Sequence, residues 1–125
     1  MTEATIPNNV ASIEDYTFYN CSSLTKVIIG SGVTSIGYRA FYNCTGNLTI
    51  NCNIPAASSS SNSAFYASKF SSVIIGDGVE TIGDYAFYYC SDLTEVTIPN
   101  SVVTIGRSAF YNCSSVSKIT IPTSV

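Results

Sequence analysis

The sequence predicts an all-β dominated solenoid, a single domain spanning residues 1–125 in about five stacked coils of 22–24 residues. Three observations carry this reading. Phenylalanines recur at positions 18, 41, 65, 87 and 110, with spacings of 23, 24, 22 and 23. The stretch 79–101 is restated from residue 102 onward: Val102, Ile105, Ala109, Phe110, Cys113, Val116, Ile119, Ile121 and Pro122 refill its slots. Each unit also ends in a two-residue alternation of the form Val-x-Ile. A unit this short cannot bury its own apolar stripe and must lean on its neighbours, so a fixed period of this length signals stacked repeats.

Strands are expected at 24–29, 48–52, 71–75, 93–98 and 117–121. In them Val27/Ile29, Ile50/Cys52, Val73/Ile75, Val96/Ile98 and Ile119/Ile121 alternate with other residues, which puts each pair on one face of a sheet. One strand per coil, stacked at about 4.8 Å, gives a parallel ladder. Pro99 and Pro122, or Gly30 and Gly76, close the strands, since proline cannot donate to a ladder. A short turn follows, and then Val-x-x-Ile runs extended along the opposite side. The Ala-Phe-Tyr-x-Cys stretch, with Phe and Cys three apart, suits a single helical or 3₁₀ turn with both side chains inward. Gly37, Gly83 and Gly106 share a slot with Glu14, so that slot does not require positive φ.

Two stretches depart from the period. Residues 53–64 replace Val-x-x-Ile with a serine run, read as a coil whose outer side bulges while Ile54 fills the core. Thr45-Gly46-Asn47 is a smaller irregularity. At the ends, Thr2-Glu-Ala-Thr-Ile-Pro7 matches Thr94-Glu-Val-Thr-Ile-Pro99, and Thr123-Ser-Val125 begins another repeat. Neither end carries the polar cap that repeat arrays use, which points to a piece of a longer array, to end-to-end self-association, or to both.

The residue pattern resembles the BspA-like leucine-rich repeat family of surface proteins. The resemblance is carried by Cys90, Leu93, Val96, Ile98, Pro99, Val102, Ile105, Gly106, Ala109, Phe110 and Cys113, and it extends over essentially the whole chain. It implies a right-handed leucine-rich-repeat solenoid with a parallel concave sheet. It also implies a place at the cell surface or among secreted proteins, with adhesion to host proteins, extracellular matrix or other cells. No catalytic residue carries over from it.

Composition narrows the function classes. Net charge is −3, with five basic residues dispersed along the chain, so nucleic-acid binding by counterion release has no patch to work with. A polybasic contact with membranes fails on the same ground, and no apolar run reaches the roughly 18 residues of a spanning helix. The N-terminal residues lack the basic-then-apolar layout of a signal segment, so export implies a signal cut away from this stretch. Histidine is absent, which removes Ser-His and Cys-His nucleophile pairs and the usual imidazole metal ligands. Glu14, Asp15, Asp77, Glu80, Asp84, Asp92 and Glu95 fall at outward slots. The expectation is a protein that is not an enzyme and holds no cofactor and no metal.

Cys21, Cys44, Cys90 and Cys113 share one slot, with Ser68 near it in the third coil; Cys52 is read into a strand slot that other coils fill with Ile. A column spaces thiolates along a line, away from any single metal centre. Disulfides Cys21–Cys44 and Cys90–Cys113 are allowed by coil spacing, although in-register side chains point in parallel. Buried thiols acting as small hydrophobes and weak donors are the other reading.

Two surfaces could bind. Tyr19, Tyr42, Tyr66, Tyr88 and Tyr111 each follow an anchor Phe, with Tyr16, Tyr38, Tyr85 and Tyr89 nearby. Such rings either stack to stabilise the wall or contact a protein or a glycan. The sheet's outward columns are read as Glu3, Lys26, Thr49, Ser72, Glu95, Lys118 and as Thr5, Ile28, Asn51, Ile74, Thr97, Thr120. These are small, mixed and nearly neutral. The expected function is a non-enzymatic interaction module contacting a host or matrix protein. A structural spacer and a glycan-binding module are the alternatives. Asn20, Asn43, Asn47 and Asn112 begin Asn-x-Ser/Thr triplets, most of them products of the repetition.

Overall fold

A computed structural model describes residues 2–125. Ten short strands follow the chain: β1 (Glu3–Ile6), β2 (Ser12–Ile13), β3 (Lys26–Ile29), β4 (Ser35–Ile36), β5 (Thr45–Ile50), β6 (Lys69–Ile75), β7 (Thr81–Ile82), β8 (Glu95–Thr97), β9 (Thr104–Ile105) and β10 (Lys118–Ile119). They form a six-stranded parallel sheet in the order β1-β3-β5-β6-β8-β10 and two parallel pairs, β2-β4 and β7-β9, on the opposite wall. The chain is thus a β-solenoid of about five turns. The sheet gains a sixth strand because residues 3–6 already lie in strand geometry.

The alternation that predicts the strands is the alternation that buries them. Val27 and Ile29, Leu48 and Ile50, Val73 and Ile75 point inward and are fully buried. Down the middle of the coil the anchor phenylalanines stack, with ring centres 5.1 Å apart for Phe18–Phe41 and Phe41–Phe65, 5.2 Å for Phe65–Phe87 and 5.4 Å for Phe87–Phe110. Each ring covers the next, so one coil's burial is supplied by its neighbour. Phe70 lies outside the anchor period but is also buried, packed against Phe41 and Phe65.

Three expectations change. The third coil's register is displaced: Leu48 and Ile50, not Ile50 and Cys52, pair with Val27 and Ile29, and in the next pair a bulge beside Gly46/Asn47 leaves Ser71 without a partner residue. Cys52 therefore lies past the strand, although it is buried. The Ala-Phe-Tyr-x-Cys stretch makes consecutive turns in place of a helical or 3₁₀ turn. Its residues two before and two after the anchor Phe take positive φ, as in Tyr16 and Asn20, Arg39 and Asn43, Tyr85 and Tyr89, Ser108 and Asn112. The 3₁₀ helix, Ser60–Asn62, lies in the serine run instead. Left-handed residues let alternate amides turn toward the adjoining coil: Tyr16, Phe18 and Asn20 N–H donate to Tyr38, Ala40 and Tyr42 carbonyls. Finally, Ile119 and Ile121 are not buried, since no further coil of this chain covers them.

The shared glycine slot has a steric cause. A Cβ on Gly37 or Gly106 would lie 2.3 or 2.4 Å from the backbone nitrogen of Asp15 or Asp84 in the preceding coil. No coil of this chain lies on that side of Glu14, so the slot tolerates a side chain there. Asp15 and Asp84 then cap the approach, each accepting at 2.7 Å through Oδ1 from the N–H of Tyr38 or Arg107.

Candidate interaction surfaces

The turn after each anchor Phe delivers the following tyrosine to the outer wall at a constant height. Tyr19, Tyr42, Tyr66, Tyr88 and Tyr111 form one unbroken stack with ring centres 4.9, 6.1, 6.3 and 4.8 Å apart and interplanar angles of 12–19°. Inner rings are half-buried and the end rings exposed. Stacked this way, the inner rings cover one another's faces and offer edges and hydroxyls to solvent. Partial desolvation, then the neighbouring phenols of Tyr111 and Tyr89, push the Tyr88 hydroxyl above its ordinary value.

The flanking tyrosines behave differently. Tyr16 meets Tyr19 edge-on at 5.6 Å, and Tyr89 meets Tyr88 and Tyr111 edge-on at 4.9 and 6.1 Å. Tyr38 is half exposed and stacks on no other ring. Arg39, which sequence reasoning overlooked, joins the wall: its guanidinium carbon sits 5.6 Å from the Tyr42 ring centre and 5.0 Å from that of Tyr66. Beside the stack, Asn43 donates through Nδ2 to Asn20 Oδ1 at 3.0 Å. Asn two residues after Phe in three coils was the sequence signal for these left-handed turns.

On the sheet, the outward columns need correction. Glu3, Lys26, Asn47, Ser72, Glu95 and Lys118 align, whereas Thr49 belongs beside Ile28, Ile74 and Thr97. Thr49 moves one column over because Leu48 follows Cys44 by four residues, whereas Val27 follows Cys21 by six. Ser72 donates to Asn47 Oδ1 at 2.8 Å, which ties down the middle of the charged column. Ile74 is 49 % exposed at the centre of the sheet, an apolar spot flanked by small polar groups.

All five cysteines are free thiols. Cys44, Cys90 and Cys113 donate to the Phe18, Phe65 and Phe87 carbonyls at 2.8, 3.2 and 3.2 Å, and Ser68 Oγ sits 3.2 Å from Cys90 Sγ. Burial pushes the Cys44 thiol up to about 12 and Cys52 to about 11, and holds Cys90 above its ordinary value. The neighbouring Cys90 thiol brings Cys113 down. Among the described residues, no group of three or more His, Cys, Asp or Glu side chains could hold a metal ion, and no helix is long and apolar enough to cross a membrane.

Three solved structures resemble the chain. A leucine-rich repeat protein from Eubacterium ventriosum aligns with TM-score 0.60 and 28% identity, covering 100% of this chain and 40% of that one. One from Bacteroides ovatus gives 0.54 and 27%, covering 97% and 40%. A leucine rich cell surface protein from Faecalibacterium prausnitzii gives 0.55 and 28%, covering 96% and 38%. The chain thus spans about two fifths of the length of each. No curated protein matches it. The sequence profile of the BspA type leucine rich repeat region matches residues 1–62 and 58–125, in six copies. With that profile running the length of the solenoid, the chain belongs to the BspA type leucine rich repeat family.

Proposed function

We propose that this chain is a non-enzymatic interaction module, exposed at a cell surface or secreted, that contacts a host or extracellular-matrix protein through its tyrosine wall. The observation that carries the reading is the continuous aromatic strip: five stacked rings with Tyr16, Tyr38 and Tyr89 standing out beside them. Tyrosine supplies broad contact area with a polar tip at small entropic cost, which suits recognition by protein surfaces. Leucine-rich repeat proteins serve as interaction modules, and one similar structure is of a cell surface protein. Repetition would multiply weak contacts along the stack and among copies on a surface. The sheet, with Lys26, Ser72, Glu95 and Lys118 around Ile74 and Thr49, is the subordinate surface because it carries no aromatic or Arg anchor.

The test is binding of the folded chain to immobilised matrix proteins and polysaccharides, compared with a Tyr38→Ser/Tyr111→Ser variant. Tyr38 stacks on no other ring, and Tyr111 is an end ring, so the column from Tyr19 to Tyr88 is left in place. Saturable protein binding that the variant loses, with thermal unfolding unchanged, supports the reading. Binding to polysaccharide alone replaces it with a glycan-binding module. A spacer is the second reading, favoured by the rings stacking on one another along the wall. It gains if the folded chain binds nothing while its mass rises with concentration and falls again in Ile121→Asp, the sign of end-to-end association.

A further inference from the structure

The wall opposite the six-stranded sheet is unzipped between the second and third coils. Between the first and second, Thr34 N–H donates to Ala11 O at 2.8 Å and Gly37 N–H to Ile13 O at 2.7 Å. Between the third and fourth, Ile54 N–H donates to Thr81 O and Ala57 N–H to Asp84 O; between the fourth and fifth, Val103 and Gly106 N–H donate to Glu80 and Ile82 carbonyls. Among the described residues, no such bond joins 33–37 to 53–58. Thr34 O and Ile36 O, the counterparts of Ala11 O and Ile13 O, have no donor, and strand alternation puts the Ile36 N–H on the same edge.

The split is a local wedge. β3 and β5 stay fully paired, and Phe41 and Phe65 stay stacked at 5.1 Å. Its cause is the chemistry of residues 53–58. Ile54 is committed to the fourth coil by its bridge to Ile82, Asn53 Oδ1 accepts from Glu80 and Thr81 N–H, and Pro55 has no amide to give. Two adjoining clefts result, of about 460 and 210 Å³. Val33, Thr34 and Ile36 form one side, and Ile54, Pro55 and Ala56 the other. No charged side chain lines either cleft.

We propose that this gap binds an extended, uncharged peptide segment of a partner protein, which adds a strand to β4. An extended backbone carries donors and an acceptor at the spacing that Thr34 O, Ile36 O and Ile36 N–H require. The neutral lining sets the partner's chemistry, because a charged side chain placed there would be desolvated without a counterion. The small residues at 55–57 leave room for Val- or Ala-sized side chains. This site is distinct from the tyrosine wall and stands or falls independently of it.

The probe is the acetylated, amidated pentapeptide Val-Val-Thr-Ile-Gly, which reproduces residues 102–106 and so carries the pairing pattern of β9 without charge. Titrated into the whole chain and followed by amide NMR, it should give saturable shifts confined to 33–38 and 53–58 and slow hydrogen exchange at the Ile36 amide. The same peptide N-methylated at its central residues should bind about tenfold more weakly, the loss of one to two hydrogen bonds. Three results would each overturn the proposal. They are no saturable shift, shifts confined to the sheet or the end coils, and equal binding by the N-methylated peptide, which would leave only an apolar slot. Protection of Ile36 that appears with protein concentration alone would make a second copy the occupant and also overturn it.

Discussion

The guanidinium of Arg39 lies 5.0 Å from the centre of the Tyr66 ring, where the tyrosine stack widens. Its Nε donates to Ser61 O at 2.8 Å, so one side chain ties the irregular third coil to the regular second. Tyr42 and Tyr66 are 6.1 Å apart against 4.9 Å for Tyr19 and Tyr42, and the cation lies over both rings of the wider pair.

Arg39→Ala should therefore lower unfolding stability by about 1–2 kcal/mol, a cation–π contact plus a hydrogen bond. Urea denaturation reads it. Arg39→Lys keeps the charge but not the planar Nε donor and should stay destabilised. A midpoint equal to that of the parent chain for both variants would show that the contact contributes nothing.

Gly106→Ala should cost about 1–3 kcal/mol, because the added Cβ meets Asp84 backbone, which cannot yield as a side chain would. Glu14→Ala, in the same slot of the first coil, should stay within about 0.5 kcal/mol. Thermal unfolding of the pair separates close approach from any intrinsic preference for glycine.

Phe65→Ala removes a fully buried ring between Phe41 and Phe87 and should cost about 3–5 kcal/mol, enough to unfold a chain of marginal stability. Phe110, half-buried at the last coil, should cost less. Similar losses at both sites would show that the terminal coil is better covered in solution than within one chain.

The thiols make stability fall in alkali. Cys44 and Cys52 have folded values of about 12 and 11, above the ordinary 9.0. Below pH 9 both states hold these protons and stability is unaffected. From pH 9 toward 12 the unfolded chain releases protons that the folded chain keeps, so stability declines. Cys44→Ala and Cys52→Ala should each flatten that decline. Within the Cys90–Cys113 pair, half-buried Cys113, lowered by the neighbouring Cys90 thiol, should be alkylated before Cys90 in native protein, as peptide mapping after brief iodoacetamide treatment would show.

The repeat and its inward residues were legible from the chain alone. Phe at a near-constant interval and Val-x-Ile alternation leave few ways to bury apolar surface, so the solenoid, its parallel sheet and the tyrosine column follow from period and pattern. What the tertiary structure decided is everything that depends on the adjacent coil. Thr49 and Cys52 leave their expected slots because register is settled by which strands pair, Val27 with Leu48, not by counting along the period. Positive φ at Tyr16, Arg39 and Tyr85 is imposed by amides that must reach the neighbouring coil. The opening beside β4 exists because Ile54 chose the coil above over the coil below, a competition between hydrogen-bond partners that one-dimensional periodicity does not encode.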